Sequence, residues 1–302
     1  MHHRFALLWV LLAWAGSAVM PVEGQTPISR SLPSGVDVQR DLTYARYGAR
    51  DLMLDLYTPA SGQVAPFVVV VVRGGGWRTG DKEGFGPMAA ALAARGIPAA
   101  CIEYRASGEA TFPAAVEDVK AAVRWLRANG SAYDLSTERI GAIGGSAGGH
   151  LVTYAGVTAK ETTVEGRGGS PLQSSGLQAV VALAPVTDLT QGAEPFPDDA
   201  PTVFLGVPHN EAPELWAFAS PTTHVSEGAA PLLLIHSEDD GVSPVAQSFR
   251  LAERYSEEGS PVELVLIPGA PHAFWGFEEW FSDSMDRAAV FFRRYLSPQQ
   301  GR

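Results

Sequence analysis

The sequence predicts an α/β fold, a mostly parallel sheet with helices on both faces and a small cap insertion, and three observations carry that prediction. Phe67 to Val72 is an unbroken apolar run ending in five valines, the pattern of a strand buried on both faces, and a helix-compatible stretch follows at 86–95. Strand and helix signals then alternate along the chain. Finally, Gly144-Gly145-Ser146-Ala147-Gly148 places one serine in a G-x-S-x-G frame, with a short apolar strand before it and small helix-compatible residues up to Val157 after it.

The chain opens with a basic Met1-His2-His3-Arg4, an apolar Phe5 to Ala15 and the small residues Gly16, Ser17 and Ala18. Residues 1–24 therefore read as a secretory signal peptide, cleaved after Ala18 or after Gly24. The apolar run falls short of the about 20 residues that span a bilayer, and an uncleaved signal anchor is the alternative. A secreted or periplasmic protein is expected, with no membrane partner once the signal is removed. Residues 25–37, rich in Ser and Pro, read as a disordered or extended arm; 38–297 form one catalytic domain, and 298–302 a tail. Leu42 to Tyr47 and Leu52 to Tyr57 alternate around Gly48, as an antiparallel hairpin at a sheet edge does. Ala99 to Tyr104 is the next strand, and Ala114 to Ala128 an amphipathic helix entered through Pro113. Strand signals resume at Leu177 to Leu183, Leu232 to His236 and Val262 to Ile267, with helices at Pro244 to Glu258 and Asp283 to Leu296. At 186–230 the alternation lapses into Pro, acidic and aromatic residues, among them Phe196, Phe204, Trp216 and Phe218. That segment is the cap over the sheet's carboxyl edge, where a substrate pocket is expected.

Composition narrows the function. With 46% hydrophobic and 18% charged residues the chain can build one large core. A net charge of −11 without a basic run excludes a nucleic-acid partner. Cys101, the single cysteine, forms no internal disulfide and sits in an apolar strand-like stretch as a buried residue.

The G-x-S-x-G frame suits a nucleophile elbow, a strained turn from strand to helix that leaves no room for side chains two positions to either side of the serine. A serine hydroxyl needs a general base, and the base needs a carboxylate to fix its tautomer. In elbow architectures the order is nucleophile, acid, histidine. His272 follows the strand at 262–267 and is the expected base; Asp240, after the strand at 232–236, is the expected acid over its neighbours Glu238 and Asp239. His150 lies four residues after Ser146 on the same helix and is assigned a structural role. His236 ends a strand upstream of the acid, His209 and His224 belong to the cap, and His2 and His3 leave with the leader. Oxyanion donors are expected from the Gly74-Gly75-Gly76-Trp77 loop and from the Ala147 amide. Trp77 and Arg73, on that loop, are candidates for substrate contact. No metal or cofactor is required.

These residues resemble the α/β-hydrolase carboxylesterases, within them the bacterial feruloyl and acetyl (carbohydrate) esterases and the hormone-sensitive-lipase-like enzymes. The resemblance runs from about Val38 to Leu296 through separated blocks: Tyr47 to Pro59, Arg73 to Lys82, Tyr104-Arg105, Phe112 to Arg127, Arg139 to Leu151, Ser220-Pro221, Leu234 to Pro244 and Gly269 to Phe274. It implies the α/β-hydrolase fold, the triad Ser146, Asp240 and His272, the oxyanion donors Gly75, Gly76 and Ala147, and a small-molecule or polysaccharide ester as substrate, with acetyl or feruloyl esters of carbohydrates favoured. It implies no oligomeric state. One position departs: the family's loop usually opens with a histidine that braces it, and here that residue is Arg73. Arg73 is expected either to pair with Glu103 or Asp81, or to face the pocket and favour an anionic ester. Two rival functions share this sequence pattern, a peptidase of the prolyl-oligopeptidase kind and a non-catalytic exported binding protein that keeps the hydrolase shell.

Overall fold

The computed structural model describes residues 25–192, 196 and 198–298. The expected signal peptide and the last four residues of the expected tail lie outside them.

Eight strands form one sheet in the order β1-β2-β4-β3-β5-β6-β7-β8. The edge hairpin is β1 (Val36–Tyr47) against β2 (Arg50–Pro59), antiparallel, and β2 also pairs antiparallel with β4 (Ala99–Ile102). From β4 onward every pairing is parallel, through β3 (Val68–Val72), β5 (Ile140–Gly145), β6 (Ala179–Leu183), β7 (Leu232–Ser237) and β8 (Val262–Ile267). The valines of β3 alternate between two cores, as a period of two requires. Val68, Val70 and Val72 join the core shared with α2 (Ala114–Asn129) and α3 (Ala147–Val157), while Val69 and Val71 join the one shared with α1 (Gly86–Ala94) and α7 (Glu278–Leu296). All five are fully buried, each contributing about 1.5–3 kcal/mol of apolar burial. Cys101 is buried in β4, its thiol against the Lys82 carbonyl oxygen.

Residues 26–29 lie against the start of α7, with Ile28 N–H donating to the Gly276 carbonyl and Glu278 N–H to that of Thr26. Helix α7 begins five residues earlier than the expected Asp283 because that contact supplies partners for its first turn, Thr26 N–H donating in return to Glu279 Oε1. Between β6 and β7 the inserted segment carries two short helices, α4 (Ala200–Leu205) and α5 (Pro213–Phe218). Phe204 and Trp216 are buried there, so these two cap aromatics are core and offer no surface to a substrate ring. Helix α6 (Ala246–Glu257) follows β7 and lies beside β8.

Candidate active site

Strand β5 turns into α3 at Ser146, whose backbone takes φ 55°, ψ −123°. That conformation is costly for a residue with a side chain, and the surroundings hold it. Ser146 N–H donates to the Leu183 carbonyl at 2.8 Å, and the Ser146 carbonyl accepts from His150 N–H at 3.0 Å. A Cβ at Gly148 would lie 2.2 Å from the Val72 oxygen, and one at Gly144 would lie 2.4 Å from the Gly148 oxygen. The two flanking glycines are thus fixed by backbone approaching backbone.

Ser146 Oγ lies 2.8 Å from His272 Nε2, and His272 Nδ1 lies 2.6 Å from Asp240 Oδ2. The structure brings together the three residues chosen from sequence, each from a loop or turn after a parallel strand: Ser146 after β5, Asp240 after β7, His272 after β8. Asp240 Oδ1 accepts from the N–H groups of Val242 and Ser243 at 2.8 and 2.9 Å. Burial works to raise the Asp240 pKa, but hydrogen bonds from His236 and His272 outweigh it and hold the carboxyl well below the usual range. A permanently ionised Asp240 keeps the proton of His272 on Nδ1 and leaves Nε2 to take one from Ser146. Of its neighbours, Glu238 is exposed and Asp239 accepts from Gly269 N–H, so neither competes for His272.

The glycine loop follows β3. Gly75 and Gly76 have φ of 106° and 57°, and a Cβ at Gly75 would lie 2.1 Å from the Thr79 oxygen. Among the described residues, the N–H groups of Gly75, Gly76 and Ala147 have no protein acceptor.

Two substrate-contact expectations are corrected. Trp77 is 2% exposed: its indole stacks on Phe204 at 4.6 Å and donates from Nε1 to His150 Nδ1 at 3.2 Å, so it anchors the loop in the core. Arg73 is 5% exposed, and among the described residues it makes no salt bridge with an acid. Its guanidinium lies 3.9 Å over the Tyr104 ring and donates to the carbonyls of Gly74, Thr79 and Tyr104. Glu103 is taken by Arg50, and Asp81 caps the turn at Gly84. An arginine with several donors can span both ends of the loop, which is the bracing task the resemblance assigns to histidine. Arg73→His is therefore expected to leave the ratio of activities on neutral and carboxylated esters unchanged. A ratio that moves severalfold contradicts this placement.

His150 is fully buried and links the loop to the inserted segment, its Nε2 lying 2.9 Å from the Ala219 carbonyl oxygen. Burial pushes its pKa down to about 4, with the Ala219 hydrogen bond opposing weakly. The ring stays neutral, so Nε2–H donates while Nδ1 accepts from Trp77. Unfolding lets it titrate near 6.5, so the unfolded chain binds a proton that the folded one refuses. Stability is expected to fall by about 3 kcal/mol from this group as pH drops from about 6.5 to about 4. Urea titrations across that window measure the decline, and His150→Gln should flatten it.

Sequence reasoning missed two neighbours of the triad. Trp275, half-buried, presents its ring to His272 at 5.7 Å and packs where a Cβ of Gly145 would stand. Its position three residues beyond His272 is the signal that could have found it. His236 contacts Asp240 directly, with Nε2 3.2 Å from Oδ2. His224 and His209 are engaged within the inserted segment, on the Phe218 carbonyl and the Trp216 ring. Among the described residues no group of three or more His, Cys, Asp or Glu is placed to hold a metal ion, and no helix is long and apolar enough to cross a membrane.

The BD-FAE family model matches residues 54–255. A probable carboxylic ester hydrolase of Mycobacterium tuberculosis, LipM, is 31% identical over 243 residues, 78% of this chain and 56% of its own length. Esterase LipQ of the same organism is 32% identical over 75% of this chain and 55% of its own length. The chain thus matches about half the length of these curated relatives. Among solved structures, a truncated carbohydrate esterase from gut microbiota superposes with a TM-score of 0.76 at 26% identity, covering 87% of this chain and 98% of that one. Thermogutta terrifontis esterase 2, phosphonylated by sarin, superposes with a TM-score of 0.73 at 26% identity, covering 89% and 98%.

Proposed function

This chain belongs to the BD-FAE family of α/β-hydrolase esterases, and from that premise we propose that it is a secreted or periplasmic serine esterase acting on carboxylic esters through an acyl-enzyme on Ser146. The observation that carries the proposal is the unbroken line from Asp240 through His272 to Ser146, at 2.6 and 2.8 Å, beside three unpartnered amides.

In this reading Ser146 Oγ attacks the ester carbonyl carbon as its proton passes to His272 Nε2. The carbonyl oxygen becomes an oxyanion taken up by the N–H groups of Gly75, Gly76 and Ala147, which have no protein acceptor among the described residues. Collapse breaks the bond to the alcohol oxygen, and His272 returns the proton to that alkoxide. Water then enters, gives a proton to Nε2 and attacks the acyl carbon; the second collapse releases the acid and restores Ser146. Asp240 stays ionised throughout, stabilising the imidazolium form of His272.

The substrate is proposed as a short-chain ester of a carbohydrate, acetyl in preference to feruloyl. Likeness to a carbohydrate esterase supports the alcohol side. Burial of Phe204 and Trp216 removes part of the aromatic surface that a feruloyl ring would need. Arg73, buried as a brace, gives no support to a non-catalytic binding protein. A panel of acetylated xylan, methyl ferulate, short-chain nitrophenyl esters and a dipeptide-naphthylamide tests the proposal. Turnover of the acetyl esters is expected; turnover of the naphthylamide alone would favour the peptidase.

A further inference from the structure

His236 is a fully buried titratable group that the reaction just described leaves without a task. It lies near the end of β7, four residues before Asp240. Its Nε2 faces two oxygens, the Ser243 carbonyl at 2.9 Å and Asp240 Oδ2 at 3.2 Å, and its Nδ1 faces Ser248 Oγ of α6 at 2.7 Å. The two groups facing Nε2 can only accept, whereas a serine hydroxyl can donate. One neutral tautomer satisfies all three contacts: Nε2 carries the proton, and Nδ1 accepts from Ser248.

We infer that His236 is a positioning residue for the catalytic acid, its Nε2–H holding Asp240 Oδ2 in the place where that oxygen receives Nδ1–H of His272. The inference rests on the triad reading of Ser146, Asp240 and His272. Val242 and Ser243 N–H fix Oδ1, His272 Nδ1 meets Oδ2 at 2.6 Å, and His236 Nε2, hydrogen-bonded to the Ser243 carbonyl, stands 3.2 Å from the same Oδ2. Without His236, Oδ2 would be fixed by the very imidazole it has to orient, and the two could swing together. Ser243 closes the arrangement, since its N–H donates to Oδ1 and its carbonyl accepts from His236. Ser243 Oγ is itself tied to the Pro185 carbonyl at 2.9 Å, so the anchor reaches the chain beyond β6. The other charged groups nearby are engaged elsewhere or exposed: Asp239 accepts from Gly269 N–H, Arg250 of α6 pairs with Asp188, and Glu238 is exposed.

Three variants, all of the full chain, test the inference. His236→Leu removes the donor while filling the core, and His236→Gln restores an N–H near the Nε2 position. With folding checked by thermal unfolding, His236→Leu is expected to lower kcat about tenfold with KM nearly unchanged. Losing one donor leaves more negative charge on Oδ2 beside His272, which favours the imidazolium, so the acid limb of kcat/KM should move to higher pH. The far-downfield proton resonance of the His272–Asp240 bond should move with it. His236→Gln should recover most of kcat and return both the limb and the resonance towards wild type. A His236→Leu protein with wild-type kcat, acid limb and resonance overturns the inference, and so does a His236→Gln protein as impaired as His236→Leu. Should His236→Leu fail to fold, His236→Asn, whose amide stands near the Nδ1 position beside Ser248 and offers no donor at Nε2, takes its place; wild-type kcat, limb and resonance in that variant overturn the inference equally. The resonance is read without turnover. A wild-type protein that hydrolyses no ester but whose resonance responds to His236→Leu would sink the proposed activity and leave the positioning role standing.

Discussion

Replacing Ser146 with alanine is expected to reduce ester turnover by about 10⁴-fold or more, with KM and the unfolding midpoint little changed. The magnitude follows from what the substitution removes. Oγ is the atom that the line from Asp240 and His272 activates to form a bond to the acyl carbon. Without it His272 can at best activate water at a distance. The fold should tolerate the change because the local structure rests on Ser146 backbone groups, bonded to Leu183 and His150, and on the flanking glycines. Alanine also adds no atom to the strained position. Initial-rate kinetics on p-nitrophenyl acetate, with circular dichroism as the control for folding, give the comparison.

The second large effect is expected from Asp240→Asn, a change of one atom. The substituted side chain would turn its carbonyl oxygen to the N–H groups of Val242 and Ser243, because those two groups can only donate. Its amide nitrogen would then face His272 Nδ1 and His236 Nε2, where an acceptor stands in the wild type. To avoid N–H against N–H, His272 must move its proton to Nε2, which places a donor against Ser146 Oγ and leaves no base. A fall in kcat of about 10³–10⁴-fold is expected, with folding preserved. His272→Ala in the Asp240→Asn background should add little further loss, since the two residues act as one unit. A strictly multiplicative double variant would contradict that coupling.

Much of this architecture could be read from sequence because its determinants are local. The valines of β3 announce a doubly buried strand, and Gly144, Ser146 and Gly148 need only each other and the preceding strand to define the elbow. Asp240 and His272 follow strands whose order fixes where their loops emerge. What could not be read depends on contacts across the chain. The start of α7 is set by Thr26, about 250 residues away in sequence. Trp77 and Arg73 sit on a loop that any alignment of motifs would place at the substrate, yet both side chains turn inward. Tyr104, His150 and Phe204, from three other elements, offer them partners there. His236 escapes a sequence reading for a similar reason. A histidine ending a buried strand looks like core until Ser243, Ser248 and Asp240 are seen around it.

Acylation of Ser146 is the decisive event in the proposed reaction. Protein quenched in acid during turnover of p-nitrophenyl acetate, weighed intact by mass spectrometry and mapped by peptide digestion, is expected to carry one acetyl group on the peptide containing Ser146. The Ser146→Ala protein treated alike should carry none. An adduct on another residue, or the same adduct in the Ser146→Ala protein, would contradict the account, as would full turnover with no adduct trapped at any time.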